Sequence, residues 1–184
     1  FGDEQAIMEY IGGNTPDVVV NDILDTSVEY MESLADLDSR IVNFEDLGVG
    51  SKYADAVINA LYEHSTPPEN HYFGSEYFCL RGEFQYATPL SAIPSVERIM
   101  MSFGGTDESN LTAKTLHALS DLNKKYHIDV VLGLGYTRED QLDTIIDEFP
   151  SSARIDISQN INSMAKHMEQ ADLLITSNGR TLYE

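Results

Sequence analysis

The sequence predicts an α/β protein built on two parallel sheets. Three observations point there. Short, continuous apolar runs alternate with segments that carry an apolar stripe at helical spacing. The alternation occurs twice along the chain. Between the two runs lies a stretch, 85–95, that holds Pro89 and Pro94 and shows little periodicity, so it reads as a linker between residues 1–84 and residues 96–184. Continuous apolar strands interleaved with helices signify parallel sheets covered on both faces. A chain of 184 residues has room for one large domain or two small ones, and for a real core.

The elements follow in order. Ile7, Tyr10 and Ile11 stand at i, i+3 and i+4, and Gly12-Gly13 closes that helix. Asp17 to Asn21 is a buried strand. Thr26-Ser-Val-Glu29 matches a capping box that opens a helix reaching about Leu37. Ile41 to Phe44 and Ala56 to Asn59 are strands, and Tyr77 to Leu80 is a fourth short candidate that buries Cys79. In the second run, Ile99 to Phe103, Ile128 to Leu132, Arg154 to Ile157 and Leu173 to Thr176 are strands. Helices are expected over Asn110 to Lys124, around Leu142, Ile145, Ile146 and Phe149, over Ile161 to Met168, and from Arg180. Met164 and Met168 are core residues on this reading. The chain opens without Met and stops at Glu184 inside an expected first helical turn, so a longer polypeptide is expected on both sides.

Composition removes whole classes of function. Hydrophobic residues make up 42%, enough for a globular core. Acids outnumber bases 31 to 11, for a net charge of -20. That field repels nucleic acid and anionic membranes, so neither is an expected partner, and no apolar run suits membrane insertion. The acids are dispersed and read as a solvated surface, as in a salt-adapted protein. The alternative, a cation-binding surface, lacks support: there is no EF-hand pattern, and His64, His71, His117, His127 and His167 form no i, i+4 pair. A single cysteine and no visible secretory signal make a reducing, cytoplasmic setting the simplest reading.

Ligands of open parallel sheets bind beyond the carboxyl ends of the strands. Three such ends carry small or glycine-rich turns: Gly104-Gly105-Thr106-Asp107, Gly133-Leu134-Gly135, and Ser177-Asn178-Gly179-Arg180-Thr181. Glycine lets a backbone approach a ligand closely, and a following helix N-terminus favours an anion. None fits GxGxxG or the P-loop pattern, which disfavours a dinucleotide or ATP site. Together the turns point to a diphosphate site made of backbone amides and hydroxyls. In the first run, acids stand at strand ends. Asp22 and Asp46 are candidates for polarising water or binding sugar hydroxyls, with capping and turn formation as the alternative. Capping is the reading for Asp25 and Glu45. Arg81 either meets a sugar or phosphate or pairs with an acid. Asn59 ends a strand, where its amide is placed to bond a sugar N-acetyl group.

Several segments carry a family resemblance. Met101-Ser-Phe-Gly-Gly-Thr-Asp107, Gln159-Asn-Ile-Asn-Ser-Met164 and Ala171-Asp-Leu-Leu-Ile-Thr-Ser-Asn-Gly-Arg-Thr-Leu-Tyr-Glu184 look like the SpsG/PseG-type family. So do Val20 to Asp25, Val42 to Gly48, Ala54 to Asn59 and Tyr77 to Phe84, so the match covers nearly the whole chain. The block ending at Glu184 is also similar to the UDP-sugar glycosyltransferase that makes the lipid-linked peptidoglycan precursor.

The resemblance implies a GT-B fold of two Rossmann-like lobes, both incomplete here. It implies hydrolysis of a UDP-linked amino sugar to UDP and free sugar in surface-polysaccharide or nonulosonic acid biosynthesis, without metal or other cofactor. The UDP-sugar is the expected partner, together with other enzymes of the glycan pathway. On the family pattern Gly104, Gly105 and Thr106 lie near the diphosphate, and Ile161 borders the uracil. Ser177, Asn178, Gly179 and Thr181 line a phosphate turn, and Glu184 takes the ribose hydroxyls. The chain departs from the family in one respect. The Gly-rich loop bearing the family's catalytic histidine is not in this sequence, so no catalytic residue is assigned. A glycosyltransferase of the same fold and a non-catalytic sugar-nucleotide-binding module are the rival readings.

Overall fold

The computed structural model describes residues 4–14, 16–89, 95–122 and 124–184. They fall into two compact units that divide between Cys79 and Leu80. Of the stretch expected as a linker, 85–95, only the first two residues belong to a short 3-10 turn, Gly82–Tyr86, and the described residues place the division between units before it. Pro94, which marked that linker, lies outside the described residues.

The first unit runs α1 (Glu4–Gly13), β1 (Val18–Asp22), α2 (Val28–Ala35), β2 (Arg40–Phe44), β3 (Ala56–Asn59) and β4 (His71–Phe73). The strands are all parallel in the order β1-β2-β3-β4. Val19, Ile41 and Val57 face the helices and meet Ile11, Met31 and Leu34 in the core. Both helices lie on this face. On the opposite face Val18 and Val20 are 49% and 61% exposed, so among the described residues no helix covers them.

Two local expectations need correction. The cap of α2 is Ser27, whose Oγ accepts the Tyr30 N–H at 3.1 Å. Thr26, the expected cap, instead donates its hydroxyl to the Asp46 carboxylate at 2.6 Å, because a buried carboxylate is the stronger acceptor. The fourth strand is His71–Phe73 and not Tyr77 to Leu80. Gly74, at φ +110°, turns the chain directly after it. Ser75–Tyr77 then forms a 3-10 turn, and Cys79 is exposed and not packed in a strand.

The second unit runs β5 (Arg98–Ser102), α3 (Leu111–Ser120), β6 (His127–Leu132), α4 (Glu139–Ile146), β7 (Arg154–Gln159), α5 (Met164–Met168) and β8 (Leu173–Thr176). All strands are parallel, in the order β7-β6-β5-β8. One face carries Met101, Ile128 and Val130 against Ala113 and Leu116 of α3 and Leu142 of α4. The other places Met100 and Val131 against Ala171, with Met164 and Met168 alongside. This sheet is therefore covered on both faces. Helix α5 starts at Met164 and not at Ile161, because Asn160 adopts a left-handed φ of 56° and Ser163 supplies the cap. The expected last helix is a 3-10 turn, Arg180–Leu182.

The strand order has a functional consequence. From β5 the chain steps to β6 and on to β7, then returns to add β8 on the other side of β5. The connections thus diverge at β5, and the carboxyl ends of β5, β6 and β8 bound the crevice where open parallel sheets bind ligands.

Candidate functional site

Gly104-Gly105 follows β5, Gly133-Leu134 follows β6, and Ser177 to Thr181 follows β8. The three turns meet around one cleft of about 500 Å³, whose floor is Ser102, Val131 and Leu132 at the strand ends. Gly133 makes the meeting possible. A Cβ on it would collide with the carbonyl oxygens of Gly104 and Gly105. The Gly135 N–H donates to the Gly105 carbonyl at 2.9 Å, which ties the two turns together. A Cβ on Gly105 would meet nothing within 4 Å, and Gly104 adopts φ +81°. The wall is completed by Asn160, Ile161 and Met164, and by Gly179, Arg180 and Thr181.

Of the residues the sequence singled out for nucleotide binding, Gly104, Gly105, Ile161, Ser177, Gly179, Thr181 and Glu184 line this cleft. Thr106 and Asn178 are exposed and do not line it. Arg81, singled out for the sugar, lines it as well. Arg180 and Gly133 line it too; the sequence placed both in the strand-end turns of the expected diphosphate site but gave neither an individual role.

The expected source of anion affinity changes. The N-terminus of α3 is already occupied: Asp107, buried at φ 45°, accepts the Leu111 N–H at 2.7 Å and the Thr112 N–H at 2.8 Å. The helix dipole there is met by the protein's own carboxylate. The turn after Ser177 opens only a three-residue 3-10 turn. The residues lining the cleft that carry donors are local ones: the turn backbones, Ser177, Thr181 and Arg180.

Glu184 and Arg81 form a two-point pair. Arg81 Nε donates to Glu184 Oε1 at 2.6 Å and Nη2 to Oε2 at 2.7 Å. The Glu184 side chain is only 3% exposed, against 45% for Arg81. These bonds raise the guanidinium pKa above its usual value. Arg81 Nη1 also lies 3.2 Å from Glu83 Oε1, and the guanidinium stacks 5.1 Å from the Phe84 ring centroid. Glu83 in turn accepts the Ser163 hydroxyl at 2.7 Å and the Ala165 N–H at 3.2 Å. Burial pushes the Glu83 carboxyl up, but these hydrogen bonds and the Arg81 charge outweigh it and hold it below its ordinary value.

The remaining candidates belong to the first unit, and two of them are structural. Asp46 is 1% exposed. Its Oδ1 accepts the Thr26 N–H at 3.1 Å and the Gly48 N–H at 2.8 Å. Its Oδ2 accepts the Thr26 hydroxyl and Asn43 Nδ2, both at 2.6 Å. Four donors fill the acceptor sites of a carboxylate, which leaves none for water or sugar. Asn59 is also 1% exposed, and its Nδ2 donates to the Asp46 carbonyl at 3.1 Å. That bond commits the Nδ2 to the loop, while its Oδ1 is buried with no hydrogen-bond partner among the described residues. Asp22 ends β1 exposed, and Asp25 is exposed in the loop that follows. Glu45 adopts a left-handed φ of 54°, and its Oε2 accepts the Leu61 N–H at 3.4 Å. Asn21 completes the network by donating to Asn43 Oδ1 at 2.9 Å and accepting from the Tyr30 hydroxyl at 2.8 Å. Among the described residues no three His, Cys, Asp or Glu side chains assemble as metal ligands, and no helix is long and apolar enough to cross a membrane.

Two parallel-stranded units, the second with a crevice at a strand-order reversal, make this an α/β protein of GT-B type. Among solved structures the chain resembles MurG of Acinetobacter baumannii, with a TM-score of 0.59 at 16% identity, covering 97% of this chain and 52% of that one. In sequence it is 32% identical over 196 residues to an uncharacterized protein of Methanocaldococcus jannaschii, covering 99% of this chain and 40% of that protein. It is 28% identical over 189 residues to the spore coat polysaccharide biosynthesis protein SpsG of Bacillus subtilis, covering 97% and 55%. The chain thus spans about half the length of these relatives. No family model matches it.

Proposed function

We propose that this chain carries the nucleotide-binding part of an enzyme that hydrolyses a UDP-linked amino sugar to UDP and free sugar in surface-polysaccharide biosynthesis. The observation that carries this reading is the cleft at the β5 switch point, where three strand-end turns, Arg180 and Glu184 converge. Its volume of about 500 Å³ suits a nucleoside diphosphate. Its apolar wall at Ile161 and Met164 gives a base a surface to pack on. Relatedness to a polysaccharide biosynthesis protein supports the pathway class. In the reaction, water attacks the anomeric carbon as the bond to the diphosphate oxygen breaks. The charge that develops on UDP is met by turn amides held in place before the reaction, a form of electrostatic stabilisation that needs no rearrangement. A cytoplasmic setting, with other enzymes of the pathway as partners, belongs to the same proposal.

Calorimetric titration with UDP, ADP and UMP tests it. Selective UDP binding is expected, with UMP weaker for want of the second phosphate. Binding that ignores the base, or no binding at all, overturns the nucleotide assignment. Release of free sugar with water as sole acceptor separates hydrolysis from transfer.

A further inference from the structure

We infer that Arg138, which does not line the cleft, is a positioning residue for its phosphate turn: it holds the loop after β5 in the shape that receives a diphosphate. The inference deepens the nucleotide reading above and rests on it. The loop from Gly104 to Asn110 is strained backbone. Gly104 turns at φ +81°, and two residues with side chains follow it into the left-handed region, Asp107 at 45° and Asn110 at 52°. Such a conformation is uncommon away from glycine and persists only where the surrounding structure imposes it.

The loop between β6 and α4 imposes it. That loop grips the strained one at its start, middle and end. At the start, the Gly135 N–H donates to the Gly105 carbonyl at 2.9 Å. A peptide is planar and trans, so the same bond fixes the direction of the Thr106 N–H on the far side of that peptide. In the middle, Arg138 donates through Nη1 to the Asp107 carbonyl at 2.9 Å and through Nη2 to the Glu108 carbonyl at 3.2 Å. One rigid fork thus sets two successive peptide planes, the first of them at a left-handed residue. At the end, the Tyr136 hydroxyl donates to Asn110 Oδ1 at 3.2 Å, and Asn110 Nδ2 donates to Gln141 Oε1 at 2.9 Å. Without Arg138 the loop would sample other shapes, and the cost of ordering it would fall on each diphosphate bound. A ligand without phosphates would not meet that cost.

The test compares UDP with uridine by calorimetry on the native chain, Arg138→Ala, Arg138→Lys and Tyr136→Phe, with circular dichroism as the folding control. The native chain is expected to prefer UDP by about tenfold or more, the scale of one hydrogen bond to a charged group. Arg138→Ala is expected to weaken UDP at least about fivefold and uridine less than about twofold. Arg138→Lys keeps the charge but not the fork, so it is expected to recover only part of the loss. Tyr136→Phe changes no charge and is expected to weaken UDP in the same direction, which keeps the test open should Arg138→Ala fail to fold. If the native chain does not prefer UDP to uridine, the phosphate reading of the cleft fails and the Arg138 role falls with it. If the native chain prefers UDP and Arg138→Ala keeps the same preference, the positioning role alone is overturned. Equal losses for UDP and uridine would also overturn it, as a general loss of structure. Full recovery by Arg138→Lys would do so too, by showing that only the charge matters.

Discussion

Gly133 sits directly against the carbonyl oxygens of Gly104 and Gly105, so the turn after β6 has no room for a side chain beneath the turn after β5. Gly105, in contrast, has nothing within 4 Å of where its Cβ would stand. Two glycines in touching turns therefore serve different ends. Gly133→Ala forces backbone apart and is expected to cost about 3 kcal/mol of stability, read as a shifted denaturation midpoint for the second unit. Gly105→Val is expected to change stability by less than about 1 kcal/mol but to fill the cleft and weaken UDP at least about tenfold by calorimetry. A Gly105→Val chain that binds UDP normally would move the phosphate turn elsewhere.

Asp46 yields a prediction for the first unit. Its carboxylate holds Thr26 at the start of α2, Asn43 in β2, and Gly48 in the loop between β2 and β3. Asp46→Ala strands four buried donors and is expected to destabilise this unit by about 3 kcal/mol or more. Hydrogen exchange should show lost protection concentrated in β2, β3 and the start of α2. Full protection with altered ligand binding would return Asp46 to a functional role.

Part of this molecule was legible because several strands, β3 and β8 among them, are continuous apolar runs closed by a polar residue. Ala56 to Asn59 and Leu173 to Thr176 were read to the residue, and the strand-end turns marked the cleft. What stayed hidden were long-range choices among equivalent polar groups. Thr26 and Ser27 are both good caps, and only the three-dimensional position of Asp46 decides which of them caps α2. Asp107 was read as part of a turn, and its use as the internal anion of α3 depends on a left-handed backbone that sequence does not announce. Arg81 was read with two possible partners, and Glu184 is 103 residues away along the chain. The β7-β6-β5-β8 order, which makes the cleft a switch point, is likewise invisible to local pattern.

Acid should loosen the second unit in a defined window. Glu83, Asp156 and Asp172 all hold folded-state pKa values below their ordinary ones. For Asp172 the causes are the Glu97 and Arg98 N–H groups at the start of β5; for Asp156 they are His127 and then Arg154. A depressed carboxyl contributes stability that is fully present above its unfolded value, about 4, and is lost as pH falls through the folded one. Stability of this unit is therefore expected to be flat with respect to these groups above about pH 5 and to decline below about pH 4. Asp172→Asn should make that decline shallower in acid denaturation curves. An unchanged slope would mean that the bonds to Glu97 and Arg98 do not favour the ionised form.

The net charge of -20 sets a sign for ligand approach. A nucleoside diphosphate is an anion, and the protein's summed field opposes it over distances longer than the cleft's own donors reach. Salt shortens that field, to about 10 Å at 0.1 M ionic strength, and relieves the opposition more than it weakens short contacts inside the cleft. The association rate constant for UDP is therefore expected to rise with ionic strength in stopped-flow measurements, while uridine, uncharged, should show little change. A rate that falls with salt would mean that Arg180 and its neighbours govern the approach from a distance, and that the acidic surface is turned away from the mouth of the cleft.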